Sequence, residues 1–291
     1  MTYLTIINKC GTMVRYLIYC LCLSMLTGCS NADKSIKVKG SDTEVNLAVS
    51  LAENFYKVHS DFSVAISGGG SGLGIASLLN GQTDIANSSR PLNSEEIELL
   101  KAKGIAIRTV IFAEDATAFI VHRDFPLDSI DVPSLTRILN GQYKTWKPVT
   151  GQDMAVNIYG RQSNSGTHSF ISKKLNIQFS RDAKEMNGSA QIVEGIKRDK
   201  SGIGYVGAGY ILHGGVNQPV KVLKITSKKG IKSVSPLDTK AIAAHLYYFQ
   251  RPLYQFIPIT SWNKVDAFID FEKSAAGQKI ITESGYYIIP R

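Results

Sequence analysis

From Ser35 onward, apolar positions recur in two periods. Ile36-Lys37-Val38-Lys39 and Phe62-Ser63-Val64-Ala65-Ile66 step in twos, as half-buried strands do. Between them Ala48, Leu51, Ala52, Phe55 and Val58 return every three or four residues, which predicts a helix with Asp42 or Thr43 as its N-cap. Leu73, Ile75, Ala76, Leu78 and Leu79 crowd like the buried side of a second, shorter helix. Thr83 to Ala86 predicts a strand, and Asn93-Ser94-Glu95-Glu96 a capping box that opens a helix to about Lys103. The same reading places strands at residues 105–110, 116–121, 156–159, 202–207, 220–225, 251–257 and 286–289. Helices are predicted at 133–140, with Pro near the start and Gly141 past the end, and around 170–175, 190–196, 265–269 and 275–283, the last stopped by Gly285. Trp146 falls in a loop. Strands that alternate with helices predict an α/β fold with parallel strands.

A chain of 291 residues has room for about two domains. Its 44% apolar and 20% charged residues exclude disorder, collagen and coiled coil. Residues 116–121 are the expected passage into the second domain, and 251–257 the return to the first.

The N-terminus has a pattern of its own. Lys9 and Arg15 precede a mostly apolar run from Tyr16 to Leu26, too short to span a bilayer and suited to the core of an export signal. Met13 is an alternative start. The run ends in Leu26-Thr27-Gly28-Cys29, followed by Ser30-Asn31, which resembles the lipobox of bacterial lipoproteins. That resemblance implies removal of residues 1–28 and lipidation of Cys29. Cys10, Cys20 and Cys22 leave with the signal, so the mature chain holds no disulfide and no thiol pair for zinc. Loss of Lys9 and Arg15 lowers the net charge from +9 to +7. Export argues against nucleic acid as the partner, and the lysines are scattered as on a solvated surface.

Candidate chemistry lies in four strand-to-helix turns: Ser41–Thr43, Gly68–Ser71, Ser88–Arg90 and Arg161–Thr167. In an open α/β sheet such turns sit at the carboxyl ends of strands, where ligands bind. Each offers backbone N–H groups, a hydroxyl and the positive end of a helix dipole. Arg90 and Arg161 add planar guanidinium forks that suit tetrahedral oxyanions. The stretch Ser67-Gly68-Gly69-Gly70-Ser71-Gly72-Leu73-Gly74, taken alone, reads equally as a flexible loop or as an anion cradle.

Several longer pieces carry a family resemblance. They are Gly40-Ser41-Asp42-Thr43 with Val45-Asn46-Leu47, Ser67-Gly68-Gly69-Gly70-Ser71-Gly72, Thr83 through Arg90, Tyr159-Gly160-Arg161-Gln162 with Ser165-Gly166-Thr167, Gly202 through Gly207, Arg251-Pro252-Leu253-Tyr254, and Phe268-Ile269-Asp270-Phe271 through Gly277-Gln278-Lys279-Ile280. Across essentially the whole mature chain they resemble the phosphate-binding proteins of bacterial phosphate ABC transporters. The resemblance implies a two-lobed periplasmic-binding-protein fold of type II. Each lobe is a mixed, mainly parallel sheet flanked by helices, and crossing strands join the two. The first lobe is expected over 29–117 and again over 249–291, the second over 118–248.

The resemblance also implies the ligand set. Inorganic phosphate would be held by Thr43 and the backbone of Glu44, by Ser71, Ser89 and Arg90, and from the other lobe by Arg161, Ser165, Gly166 and Thr167. Asp42 and Asp84 are expected to cap or brace turns, and Arg251 to brace a crossing strand. No cofactor is implied. The implied partners are phosphate and an ABC permease, with a monomer in the periplasm or at the cell surface touching the membrane only through its lipid.

Two departures stand out. Ser89 occupies a place where some relatives carry an aspartate that accepts the proton of phosphate, which leaves phosphate against sulfate open, with Asp42 or Glu44 as alternative acids. His168 stands where many relatives have arginine or tyrosine; protonated, it would make binding pH-sensitive. An oxyanion sensor or surface protein with the same fold is the alternative function. A phosphoesterase is disfavoured: Ser71 lacks the G-x-S-x-G elbow, and H-E-x-x-H, Cys/His metal spacing and G-x-x-x-x-G-K-[ST] are missing.

Overall fold

The computed structural model describes residues 34–213, 220–228 and 232–289. Contacts divide the chain into Met1–Lys34 and Ser35–Arg291. The expected signal, lipobox and Cys29 lie outside the described residues. The architecture that follows is that of the larger unit.

The strands β1 (Ser35–Gly40), β2 (Ser63–Ser67) and β3 (Ile85–Ser88) are parallel, with β1 in the middle. Each feeds a helix: Val45–Val58, Ser71–Leu79 and Ser94–Ala102. The first helix buries Leu47, Ala48, Leu51, Ala52 and Phe55, the stripe its spacing predicts. Its N-cap is Glu44, not Asp42 or Thr43, because both of those side chains are engaged elsewhere, as described below. The capping box on the third helix forms as expected: Glu96 N–H donates to Asn93, and Asn93 N–H to the Glu96 carboxylate, both at 2.8 Å.

The next strand, β4 (Ile107–His122), runs 16 residues and unites the two strands expected at 105–110 and 116–121. It serves two cores. Val110, Phe112 and Ala113 pack with Ile36, Val38, Leu51, Phe55 and Phe268. Further along, Ala116, Ala118, Phe119 and Val121 pack with Trp146, Ile171, Tyr205 and Phe249. A fully buried side chain such as Phe55 or Phe119 contributes about 1.5–3 kcal/mol relative to exposure. Trp146, expected in a loop, is fully buried and donates from Nε1 to Ser201 O at 2.9 Å.

The remaining strands are β5 (Ser129–Asp131), β6 (Asn157–Arg161), β7 (Lys184–Met186), β8 (Gly202–Gly207), β9 (Val220–Val222), β10 (Lys224–Thr226) and β11 (Gln250–Pro258). The single strand expected at 220–225 splits at Leu223, so that β9 joins β4 and β10 pairs with β5. Strand β11 lies antiparallel between β3 and β4, giving the order β2-β1-β3-β11-β4-β8-β6-β7. The fold is mixed α/β and two-lobed, with β4 and β11 passing between lobes. The closing strand expected at 286–289 does not form. Tyr287 makes one bridge to Glu114, while the Tyr286 ring turns inward and its hydroxyl donates to Thr43 O at 2.5 Å. Among the described residues no helix is long and apolar enough to cross a membrane.

Candidate functional site

The carboxyl ends of β1, β2 and β3 meet in one lobe, and that of β6 faces them from the other. Gly69 and Gly70 take φ of +113° and +108°, a region that strains any side chain, so the turn after β2 requires glycine there. This geometry sets Ser71 as the first residue of its helix, fully buried, with its Oγ accepting from Ser89 N at 3.1 Å. Asn164 of the opposite turn closes onto the glycines: Gly72 N donates to Asn164 O at 2.9 Å. The glycine stretch is therefore a close backbone approach between lobes and not a loose loop.

Five predicted ligand residues come together. Gly166, the first residue of the helix Gly166–Leu175, lies so near Ser71 and Ser89 that an added Cβ would press on both hydroxyl oxygens. Thr43 and Thr167 meet across the lobes, Oγ1 to Oγ1, at 3.0 Å. The Ser89 hydroxyl is buried with no hydrogen-bond partner among the described residues.

Four others are placed differently from a simple ligand shell. Ser165 caps its own helix, accepting from His168 N at 3.4 Å. Glu44 was expected through its backbone, yet its carboxylate is fully buried and neither oxygen has a hydrogen-bond partner among the described residues. Burial pushes that carboxyl up to about 8, against the lowering pull of Ser41 and Arg251. Arg161 is buried, donating from Nη1 to Asp42 Oδ2 at 3.2 Å and from Nη2 to Asn187 O at 3.1 Å. Burial lowers its pKa, and the charge of Asp42 opposes that. Arg90 is not brought to the group. Its fork clasps Glu96 at 2.6 and 2.7 Å, because the capping box fixes that carboxylate within reach.

Asp42 does more than brace a turn. Its Oδ2 also accepts from Ser189 N at 2.8 Å, so one carboxylate of the first lobe holds both an arginine and a helix start of the second. His168 stacks on Phe179 with ring centroids 4.5 Å apart, and burial lowers its pKa. Burial thus disfavours the charged form of the ring, with the Glu185 charge opposing it.

Sequence reasoning missed the role of Arg251 and did not single out Asp115. Both are buried, with Arg251 Nη2 at 2.8 Å from Asp115 Oδ2. The same nitrogen donates to Thr167 Oγ1 at 3.0 Å and to Thr43 Oγ1 at 3.2 Å. Burial pushes the Asp115 carboxyl up, and Arg251 opposes it. The available signal was an aspartate inside the apolar run of a crossing strand, where an unpaired charge is costly. Hydroxyls, helix N-termini and guanidinium groups converge here, a donor-rich setting that fits a tetrahedral oxyanion. Among the described residues no group of three His, Cys, Asp or Glu could hold a metal ion.

The family described as the PBP superfamily domain matches residues 27–274. A phosphate-binding protein PstS of Borreliella burgdorferi is 29% identical over 281 residues, covering 93% of this chain and 96% of that protein. The PstS of Staphylococcus aureus is 29% identical over 272 residues, covering 90% and 81%. Among solved structures, an ABC-type phosphate transport receptor from Vibrio cholerae matches with TM-score 0.67 at 26% identity, over 88% of this chain and 100% of that one. A Clostridium perfringens substrate-binding protein solved with phosphate matches in fold, with TM-score 0.77 at 23% identity, over 88% and 100%.

Proposed function

This chain belongs to the PBP superfamily, and from that premise we propose that it captures inorganic phosphate between its lobes and delivers it to an ABC permease. The observation that carries the reading is the meeting of Thr43, Ser71 and Ser89 of one lobe with Gly166 and Thr167 of the other. Such a contact assembles donors from both lobes only when they close, which couples ligand capture to shape. The relatives named for phosphate support the same ligand.

In this reading Arg161 supplies charge, Ser71 and Ser89 supply hydroxyls, and Gly166 and Thr167 supply N–H groups at a helix start. Ser165 holds that helix start in shape, and Glu44 contributes the N–H of its own helix start. The lobes divide as 29–117 with 249–291, and 118–248. The mature chain is an exported monomer whose contact with the membrane is the lipid on Cys29, and it performs no catalysis. Calorimetric titration of the mature chain with phosphate tests the reading. Saturable binding that weakens on Arg161→Ala supports it; no heat with the wild type overturns it.

A further inference from the structure

Strands β4 and β11 pair where they cross between lobes, with Arg251 opposite Asp115. These two side chains face the gathered turns, and Arg251 Nη1 adds a bond to Ser89 O at 3.3 Å. Successive side chains on a strand point to opposite faces. Glu114 and Gln250, each one residue earlier on its strand, therefore face away from the turns. There they meet: Gln250 Nε2 donates to the Glu114 carboxylate and lies 3.2 Å from His245 Nδ1. Glu114 and His245 line a cavity of about 420 Å³ on that side. Its walls are mostly apolar and come from both lobes. Ile242 belongs to the core of the second lobe and Tyr286 to that of the first, and Leu212, Tyr287 and Ile288 extend the wall. Both tyrosine hydroxyls are engaged, Tyr286 at Thr43 O and Tyr287 at Pro236 O, so what they offer the cavity is ring carbon. Leu212 and Ile288 stay about half exposed. Among the residues that line the cavity Glu114 is the one acid, and none is lysine or arginine.

We propose that this cavity is a second ligand site, for a small organic cation with an apolar body, and that its occupancy is coupled to phosphate binding through Tyr286. The volume falls in the range of small-molecule pockets, which are mostly apolar with few polar groups. A carboxylate beside two aromatic rings, with no lysine or arginine on the wall, favours a cation. Ring faces attract positive charge, and a carboxylate gains most from an ammonium partner. The same carboxylate repels phosphate, so the two sites differ in the charge they accept. Coupling follows from the walls. Movement of the lobes about the crossing strands changes the separation of Ile242 and Tyr286, so a cation that touches both binds one arrangement better. Tyr286 also holds the carbonyl of Thr43, which belongs to a phosphate turn. The site stands on this geometry alone, and only the coupling rests on the phosphate-binding reading.

The probe is phenethylammonium chloride, with phenethyl alcohol and phenylacetate as its neutral and anionic counterparts. Each is titrated calorimetrically into wild type, Glu114→Gln and Ala243→Trp at about pH 8, where the ammonium and the carboxylate are both charged. Glu114→Gln keeps an acceptor for Gln250 and removes the charge. Ala243→Trp fills the cavity from an exposed position on its wall. Thermal midpoints and phosphate affinity are measured alongside. The expected result is saturable binding of the cation by wild type, about 10- to 100-fold weaker for the two counterparts and for the cation on Glu114→Gln. Ala243→Trp should bind none of the probes, and both variants should keep phosphate affinity within about twofold of wild type. A saturating cation should change wild-type phosphate affinity by at least about fivefold, and phosphate should change cation affinity by the same factor. No cation binding by wild type, equal binding of the alcohol, or unchanged cation binding by Glu114→Gln or by a folded Ala243→Trp overturns the site. Cation binding without a mutual effect overturns the coupling. A flat phosphate titration overturns the phosphate reading and the coupling with it, while the cation titration still decides the site.

Discussion

Gly166→Ala separates closure from folding. Gly166 is outside the positive-φ residues, so alanine adds no backbone strain, and within a helix it is the better former by up to about 1 kcal/mol. The obstacle is across the cleft. A Cβ would stand 2.5 Å from Ser89 Oγ, where ordinary contact begins at 3.4 Å, and it would press on Ser71 Oγ as well. Ser71 and Ser89 are both buried, and Ser71 Oγ is held by the Ser89 N–H, so the packing around the two hydroxyls leaves them little room to turn aside. The lobes must part by about 1 Å, and overpacking of this kind costs roughly 1–3 kcal/mol. That corresponds to a phosphate affinity about 5- to 150-fold weaker. Calorimetric titration reads the affinity. Thermal denaturation without phosphate should show a midpoint equal to or above wild type, while the added stability from phosphate shrinks. Affinity within about twofold of wild type would refute the argument, because it would mean that the bound state does not require this contact.

Other expectations follow from groups away from that contact. Arg90→Ala should lower stability by about 2 kcal/mol in urea denaturation, through the loss of Glu96, and change phosphate affinity by less than about threefold; a large affinity loss would return Arg90 to the ligand set. Glu272 is buried, holds Gln255 Nε2 at 3.0 Å, and burial pushes its carboxyl up to about 8. Its folded pKa exceeds its unfolded one, so its contribution is present below about pH 4.5 and is lost as pH rises toward about 8. Glu272→Gln should therefore flatten the fall in stability over that window, by an order-of-magnitude few kcal/mol; an unchanged slope would remove Glu272 as its cause. His168→Gln should leave phosphate affinity at about pH 8 within about twofold of wild type, since burial disfavours the charged ring, and a larger loss would show that the ring takes part in binding.

Much of this was legible before the structure. The helix Val45–Val58 and the capping box at Asn93 follow from local spacing, and local spacing suffices because a helix bonds to itself. The turns that meet at Ser71, Ser89 and Thr167 were legible as turns, from small polar residues at strand ends. What the chain could not reveal is partnership over distance. Arg161 reads as an anion anchor until Asp42, 119 residues away, takes one of its nitrogens. Arg251 reads as a brace until three turns gather around it. Two predicted strands became β4 because burial in two cores, and not a break in periodicity, divides that segment. Residues 286–289 form a β-prone apolar run, yet the Tyr286 ring is drawn into the core and its hydroxyl donates to Thr43 O, a partner 243 residues away.

The passage of β4 from one core to the other also sets an order of assembly. The core around Phe119, Trp146 and Tyr205 draws on residues from Ala116 to Phe249, a contiguous stretch. The core around Ile36 and Phe55 needs Leu253, Phe268 and Tyr286, which arrive at the far end of the chain. A chain emerging from its N-terminus can therefore finish the second lobe while the first waits, its strands β1 to β3 without β11. Pairing across such separations is slow, and unpaired strand edges invite wrong partners in the meantime. The lobe that contributes the glycine turn is the last to exist, so the cleft is completed by the final act of folding.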